Sequence, residues 1–163
     1  MAKTAKKARK GGDQPTIAVN KRARREYEIV ETYEAGIELT GTEVKSLRAG
    51  RVSIKEAFGL VKDGQVWLVQ AHIAHYDYGN RFNHDPTRWR RLLLHRHEID
   101  RVAEFTREQG RTLAVLQLYW RDGKAKALVG LAKGKATRDK RRDEAERDAQ
   151  REMQRALKYQ GRR

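Results

Sequence analysis

From Lys133 to Lys158 the chain reads KGKATRDKRRDEAERDAQREMQRALK, and a stretch like this cannot nucleate a hydrophobic core. Wound as a helix, it brings only Ala145, Ala149, Met153 and Leu157 onto one stripe, at i, i+4, i+8 and i+12, which is too narrow to dock firmly on a body. Asp143 to Arg147 and Asp148 to Arg151 favour that helix, whereas Glu144 to Asp148 and Asp148 to Glu152 are like-charged pairs, so in isolation it is marginal. The fold must therefore be built before Gly134. Residues 135–163 are expected to be a flexible basic tail that becomes helical on a partner.

Charge narrows the partner. With 37 Lys+Arg against 22 Asp+Glu and a net charge of +15, the chain is suited to an extended anion: RNA, DNA or an acidic membrane. No stretch approaches the roughly 18 apolar residues of a spanning helix, and no apolar run follows the N-terminal lysines. A soluble, cytoplasmic monomer without a membrane partner is expected. The absence of cysteine excludes disulfides, thiolate zinc sites and cysteine nucleophiles, and fits a reducing compartment.

Residues 1–15 are rich in Lys, Arg and Gly without apolar periodicity, the pattern of a disordered basic extension. Residues 16–134 carry the candidate domain. Asn20-Lys21-Arg22-Ala23-Arg24-Arg25 places basic residues directly before a strand-like run, where a rigid edge would hold phosphates in register. From Glu26, near-alternating Tyr27, Ile29, Val30, Thr32, Tyr33, Ile37 and Leu39 predict strand, interrupted at Gly36. Thr40-Gly41-Thr42-Glu43 has the form of a capping box, with Gly50 as stop, and predicts a helix from Thr42 to Ala49 that projects Lys45, Arg48 and Arg51 outward. Ala57 to Val61 reads as strand.

Two Asp-Gly dipeptides then mark hairpins. Asp63-Gly64 links that strand to one over Val66–Ile73, and Asp122-Gly123 links Leu113–Trp120 to Lys124–Leu131. Between them lie a polar loop, Tyr76 to Arg91, and a helix from His95 to Gln109 with Ile99, Val102 and Ala103 inward. Roughly six short strands with helices between hairpins predict a mainly β fold, a small antiparallel barrel of the oligonucleotide-binding type. An α+β sandwich is the alternative.

No chemistry of catalysis emerges. His72, His75, His84, His95 and His97 have no metal-ligand spacing, and Gly130 to Ala136 is one residue short of a P-loop, with no Ser or Thr after Lys135. Ser46 and Ser53 lie in no nucleophile motif. Neither an enzyme, a cofactor nor a metal is expected. Rings do alternate with arginines in Tyr76-Asp77-Tyr78-Gly79-Asn80-Arg81-Phe82 and Arg88-Trp89-Arg90-Arg91. Either they stack on unpaired bases, or Phe82 and Trp89 plug a barrel end.

Several long motifs carry a family resemblance. Asn20-Lys21-Arg22-Ala23-Arg24, Tyr33-Glu34-Ala35-Gly36-Ile37, the run Thr40 to Gly50, Gly79-Asn80-Arg81-Phe82-Asn83-His84-Asp85-Pro86, Lys133-Gly134-Lys135 and Asp139-Lys140-Arg141 occur in order. Together they resemble the small protein B family, the SsrA-binding proteins of bacteria. The resemblance implies an oligonucleotide-binding-like barrel that binds the tRNA-like domain of transfer-messenger RNA. It also implies delivery of that RNA to stalled ribosomes, where the tail enters the decoding centre and the empty mRNA channel.

Position by position, the resemblance implies an RNA surface of Asn20, Lys21, Glu34, Leu93, Lys126, Gly134 and Lys135, to which the basic pattern adds Arg22, Lys45 and Arg48. Glu34 on such a surface either accepts from a base amino or imino group or pairs with Arg22 or Arg24. Asp139-Lys140-Arg141 would meet the decoding centre together with Arg138, and Arg147, Arg151, Arg155 and Lys158 would follow the channel. Ala136 and Arg138 depart from the family pattern, which more often has a basic residue and an aromatic or histidine there. Any stacking at position 138 would fall to the guanidinium plane.

Overall fold

The structure, a computed structural model, describes residues 15–135 and 137–160. Residues 1–14 of the basic extension, and Ala136, lie outside the described residues. In chain order the elements are β1 (Thr16–Val19), α1 (Lys21–Glu26), β2 (Tyr27–Ile37), α2 (Gly41–Arg48), β3 (Val52–Ser53), β4 (Phe58–Lys62), β5 (Gln65–Val69), β6 (His72–Ile73), β7 (Arg90–Leu93), α3 (Arg96–Thr106), β8 (Arg111–Arg121), β9 (Lys124–Gly134) and α4 (Thr137–Gln160).

Both Asp-Gly hairpins form. Asp63 and Gly64 have φ of 53° and 71°, and Asp122 and Gly123 have 50° and 73°, the two left-handed positions that match a tight turn to the twist of its strands. From these hairpins a ring closes. β4 pairs with β5, β5 with β7, β7 with β2, β2 with β9, β9 with β8 and β8 again with β4, all antiparallel. The barrel prevails over the sandwich, with β1 added to β8 outside the ring. At Gly59 the wall has no room for a side chain, since a Cβ there would lie 2.3 Å from Leu113 Cδ2.

Ala35, Val66, Leu68, Leu92, Leu113, Val115, Leu118, Val129 and Leu131 fill the core, and α3 adds Ile99, Val102 and Phe105 to it. The predicted inward Ala103 is only partly covered, and Phe105 takes that place. His95 and Glu98 cap the start of α3 reciprocally. Each large apolar side chain buried here contributes about 1.5–3 kcal/mol, a gain that the exposed Met153, Leu157 and Tyr159 do not supply.

Three local expectations are corrected. The basic cluster before β2 is a helix rather than a strand edge: the Asn20 side chain accepts from the Ala23 amide at 3.1 Å, and small Ala23 lets α1 settle on Ala114, Leu116 and Ala132. The expected strand Val66–Ile73 divides into β5 and β6, because Gln70 turns the chain with φ of 59° and β6 leaves the ring to pair with β3. Finally, Thr40 precedes α2 without a side-chain cap. Glu43, expected to complete a capping box, turns into the protein instead.

Beyond Lys135 the charged run forms one helix of 24 residues, α4. Its root is tied to the body at two points: Lys135 pairs with Asp143, and Arg147 Nη2 donates to the Arg24 carbonyl at 3.4 Å. Met153, Leu157 and Tyr159 on its outer part are exposed.

Candidate nucleic-acid interface

Cross-strand register gathers one group of candidates on a single outer face. Gly36 stands opposite both Leu93 and Lys126, and Lys126 stands opposite Tyr119; Glu34 and Arg121 follow two residues along their own strands, so all share that face. Gly36 leaves a dip, in which an added Cβ would lie 3.3 Å from Leu93 Cβ and 3.6 Å from Lys126 Nζ. Leu93 is half-exposed beside it.

Glu34 is held within this face. The Tyr119 hydroxyl donates to Oε2, and Arg121 Nη1 lies 2.9 Å from both carboxylate oxygens. Neither Arg22 nor Arg24 pairs with Glu34, as one sequence reading allowed: Arg22 lies 2.8 Å from Glu26 and 2.9 Å from Glu56. Partial burial pushes the Glu34 carboxyl up, but the hydrogen bonds from Tyr119 and Arg121 and the charges of Arg121 and Lys126 outweigh it, so the net shift is downward. Burial, then the Glu34 hydrogen bond, raises Tyr119 far above an ordinary phenol. Glu34 is thus a fixed, ionised acceptor among cations.

Lys45 and Arg48 stand at the same end of the barrel. Lys45 Nζ lies 5.1 Å from the centre of the Tyr76 ring, and Arg48 lies 6.0 Å from that of Trp120, while Leu47 on the inner side of α2 packs with Ile73 and Ala125.

The other candidates lie far from these. Tyr27 pairs with Gly134 at one end of the β2–β9 ladder and Gly36 with Lys126 at the other, a separation of about 30 Å along the strand. Exposed Lys21 and Arg22, with Gly134 and Lys135, therefore form a second group where α4 departs. Asn20 belongs to the frame rather than the surface: it is 3% exposed, and its amide nitrogen donates to the Ile54 carbonyl at 2.9 Å. In α4, Arg138, Asp139 and Lys140 fall in the first turn, while Arg141, Arg151, Arg155 and Lys158 are exposed and Arg147 is partly covered.

The aromatic loop divides in two. Tyr78 and Phe82 are 81% and 76% exposed, and Arg81 stacks 4.9 Å from the Phe82 ring centre, so Phe82 plugs no barrel end. The arginines that follow these rings are paired with carboxylates. Arg88 lies 2.8 Å from Glu43, fully buried Arg90 lies 3.1 Å from the same carboxylate, and Arg91 pairs with Glu38 at 3.2 Å. Burial lowers Arg90 from the usual guanidinium value, and Glu43 opposes that shift. Arg90 also donates to the carbonyls of Ala71 and Pro86, both at 3.1 Å. His84 acts as a second bolt, between Thr42 Oγ1 and the Ile73 carbonyl, each at 2.9 Å.

Sequence reasoning missed Glu43, Tyr119 and Arg121. Glu43 could have been found, because Glu43, Ser46 and Leu47 lie at i, i+3 and i+4, the buried side of α2.

A closed barrel with a clamped carboxylate among cations on its outer face, continued by a long basic helix, defines a protein of the oligonucleotide-binding-barrel class. The chain belongs to the SmpB family, whose model, described as SmpB protein, matches residues 17–159. An SsrA-binding protein of Thermobifida fusca is 56% identical over 153 residues, 94% of this chain and 96% of that protein. Another, of Acidothermus cellulolyticus, is 58% identical over 141 residues, covering 86% and 89% of the two chains. A solved chain from work described as "tmRNA-SmpB: a journey to the center of the bacterial ribosome" aligns with a TM-score of 0.62 and 50% identity, over 74% of this chain and 85% of that one.

Proposed function

We propose that this protein binds the tRNA-like domain of transfer-messenger RNA through the outer face around Glu34 and carries that RNA to stalled ribosomes. There α4 enters the decoding centre and the empty mRNA channel, so that the stalled nascent chain is tagged and the ribosome rescued. The protein is a cytoplasmic adaptor and not an enzyme, working without cofactor or metal. Relatives named as SsrA-binding proteins support the RNA partner, and the solved relative supports the ribosomal one.

The observation that carries the RNA assignment is Glu34. In a chain of net +15, a carboxylate fixed on a cationic surface weakens attraction to phosphate, so its use there is to accept from base amino or imino groups. Leu93 and Lys126 flank it as an apolar contact and a phosphate contact. Lys21, Arg22, Gly134 and Lys135 meet the RNA at the far end of the ladder, Lys45 and Arg48 meet it from α2, and Asn20 acts by fixing α1.

Glu34→Ala tests the assignment, because simple electrostatics predicts the opposite sign. Removing a negative charge should strengthen a purely ionic complex, whereas loss of a base contact should weaken binding to the tRNA-like domain by about tenfold or more, the range a good base contact supplies. The measurement is a titration of labelled RNA against both proteins. Equal or tighter binding by Glu34→Ala would remove the base contact from the reading. Exposed Tyr78 and Phe82 favour a second reading, a general single-strand binder, and equal affinity for unrelated single strands would establish it.

A further inference from the structure

We infer that Tyr119 and Arg121 are positioning residues of the RNA face: they hold the Glu34 carboxylate in the one orientation from which it accepts hydrogen bonds from a base. The inference rests on Glu34 meeting RNA, and extends the site to two residues that the sequence did not single out.

The geometry divides the labour. The Tyr119 hydroxyl takes Oε2, and a single Arg121 nitrogen, Nη1, bridges both oxygens at 2.9 Å. An ionised carboxylate offers about four acceptor positions, so acceptor capacity remains on Oε1 after these contacts. The Tyr119 ring is buried, at 9% exposure, which makes its hydroxyl a rigid post. Arg121 is half-exposed and carries the neutralising charge, so a phosphate backbone passing over this face does not meet an uncompensated carboxylate. Without the clamp, Glu34 would be a mobile strand side chain that must be ordered at each binding event.

A further observation favours a positioning role over a role in folding. The clamp reaches from β8 across β9 to β2 on the outer face, whereas β9 is already paired with β8 from Arg111–Lys133 to Arg121–Lys124 and with β2 from Tyr27–Gly134 to Gly36–Lys126. The ladder does not depend on a side-chain bond across its outside.

The test is a double-mutant cycle on the full chain with Tyr119→Phe, Glu34→Ala and the pair, titrated against the tRNA-like domain RNA and against an unrelated RNA duplex of equal length. Tyr119→Phe should weaken binding to the first RNA by about tenfold or more, the effect of one hydrogen bond to a charged group. It should leave the duplex unchanged, and should cause no further loss when Glu34 is already alanine. Equal losses in both backgrounds, or equal losses on both RNAs, would overturn the inference, since Tyr119 would then act independently of Glu34 or through the fold. If Glu34→Ala weakens binding and Tyr119→Phe does not, the positioning role fails alone. If Glu34→Ala binds like the parent, the Glu34 assignment and this inference fall together.

Discussion

Glu43→Ala should cost the barrel about 3–5 kcal/mol, the loss expected when one member of a buried ion pair is removed. Glu43 and Arg90 are each 0% exposed, 3.1 Å apart, and Arg88 reaches the same carboxylate at 2.8 Å. Without the acid, the Arg90 guanidinium stays buried with only backbone carbonyls as partners, and a charge in that state is costly. For a domain whose whole stability is about 5–15 kcal/mol, the loss is a large fraction of the total. Urea unfolding should show it as a lower midpoint at unchanged slope. Arg88→Ala should cost less, because Arg88 is 36% exposed and Arg90 still neutralises Glu43. Glu38→Ala, which breaks the exposed pair with Arg91, should cost under about 1 kcal/mol. A Glu43→Ala loss no larger than that of Glu38→Ala would show that the buried network does not hold the loop between β6 and β7.

A chain ended at Lys135 should fold and bind the tRNA-like domain within a few-fold of the full protein, while nascent-chain tagging on stalled ribosomes falls to background. None of the three clusters of buried apolar residues includes a position beyond Ala132. The removed residues hold ten of the basic and six of the acidic side chains, so they take +4 of the net +15 and leave +11 on the body. Long-range attraction to RNA therefore survives. What disappears is a helix about 36 Å long, bearing Asp139-Lys140-Arg141 near its root and Arg147, Arg151, Arg155 and Lys158 along its length. RNA titration and a tagging assay on ribosomes stalled without a stop codon measure the two halves. Normal tagging by the truncated chain, or RNA binding lost as fully as by a barrel variant, would refute this division of labour.

The parts legible in the sequence were those with local causes. Asp-Gly at both hairpins needs only a primed turn, and the helix at Arg96–Thr106 announces itself by the spacing of Ile99 and Val102, both buried. Features set by distant partners were not legible. The sequence Lys-Arg-Ala-Arg-Arg-Glu has no apolar stripe, and it is helical because Ala23 fits the floor formed by Ala114, Leu116 and Ala132. Gln70 gives no sign of the left-handed turn that ends β5. Glu43 matched a capping pattern that competes with a buried role at the same position, and the two arginines that decided between them lie over forty residues away.

The candidate site divides in the same way. Motif resemblance supplied Glu34, Leu93 and Lys126, but Tyr119 lies within Leu113–Trp120, read only as a hairpin strand. Its place opposite Lys126 follows from a register shift between Val115 and Gln117, and a bulge of that kind changes which side chains share a face. The pairing of Arg88 with Glu43 and of Arg91 with Glu38 was not legible for the converse reason: charge pattern alone does not distinguish a solvated arginine from one already paired.

β9 is paired along both edges, with β2 from Tyr27 to Gly36 and with β8 from Arg111 to Arg121. Amides enclosed in this way are released only when the whole barrel opens, and α4 follows directly on that strand. The tail is thus mounted on the part of the molecule that yields last, and no fraying of the barrel wall absorbs a change in its direction. Any swing of α4 works against its two ties, Lys135 to Asp143 and Arg147 to the Arg24 carbonyl, and it is magnified along the helix: a turn of about 10° carries the far end of a helix about 36 Å long through about 6 Å, more than the rise of one helical turn.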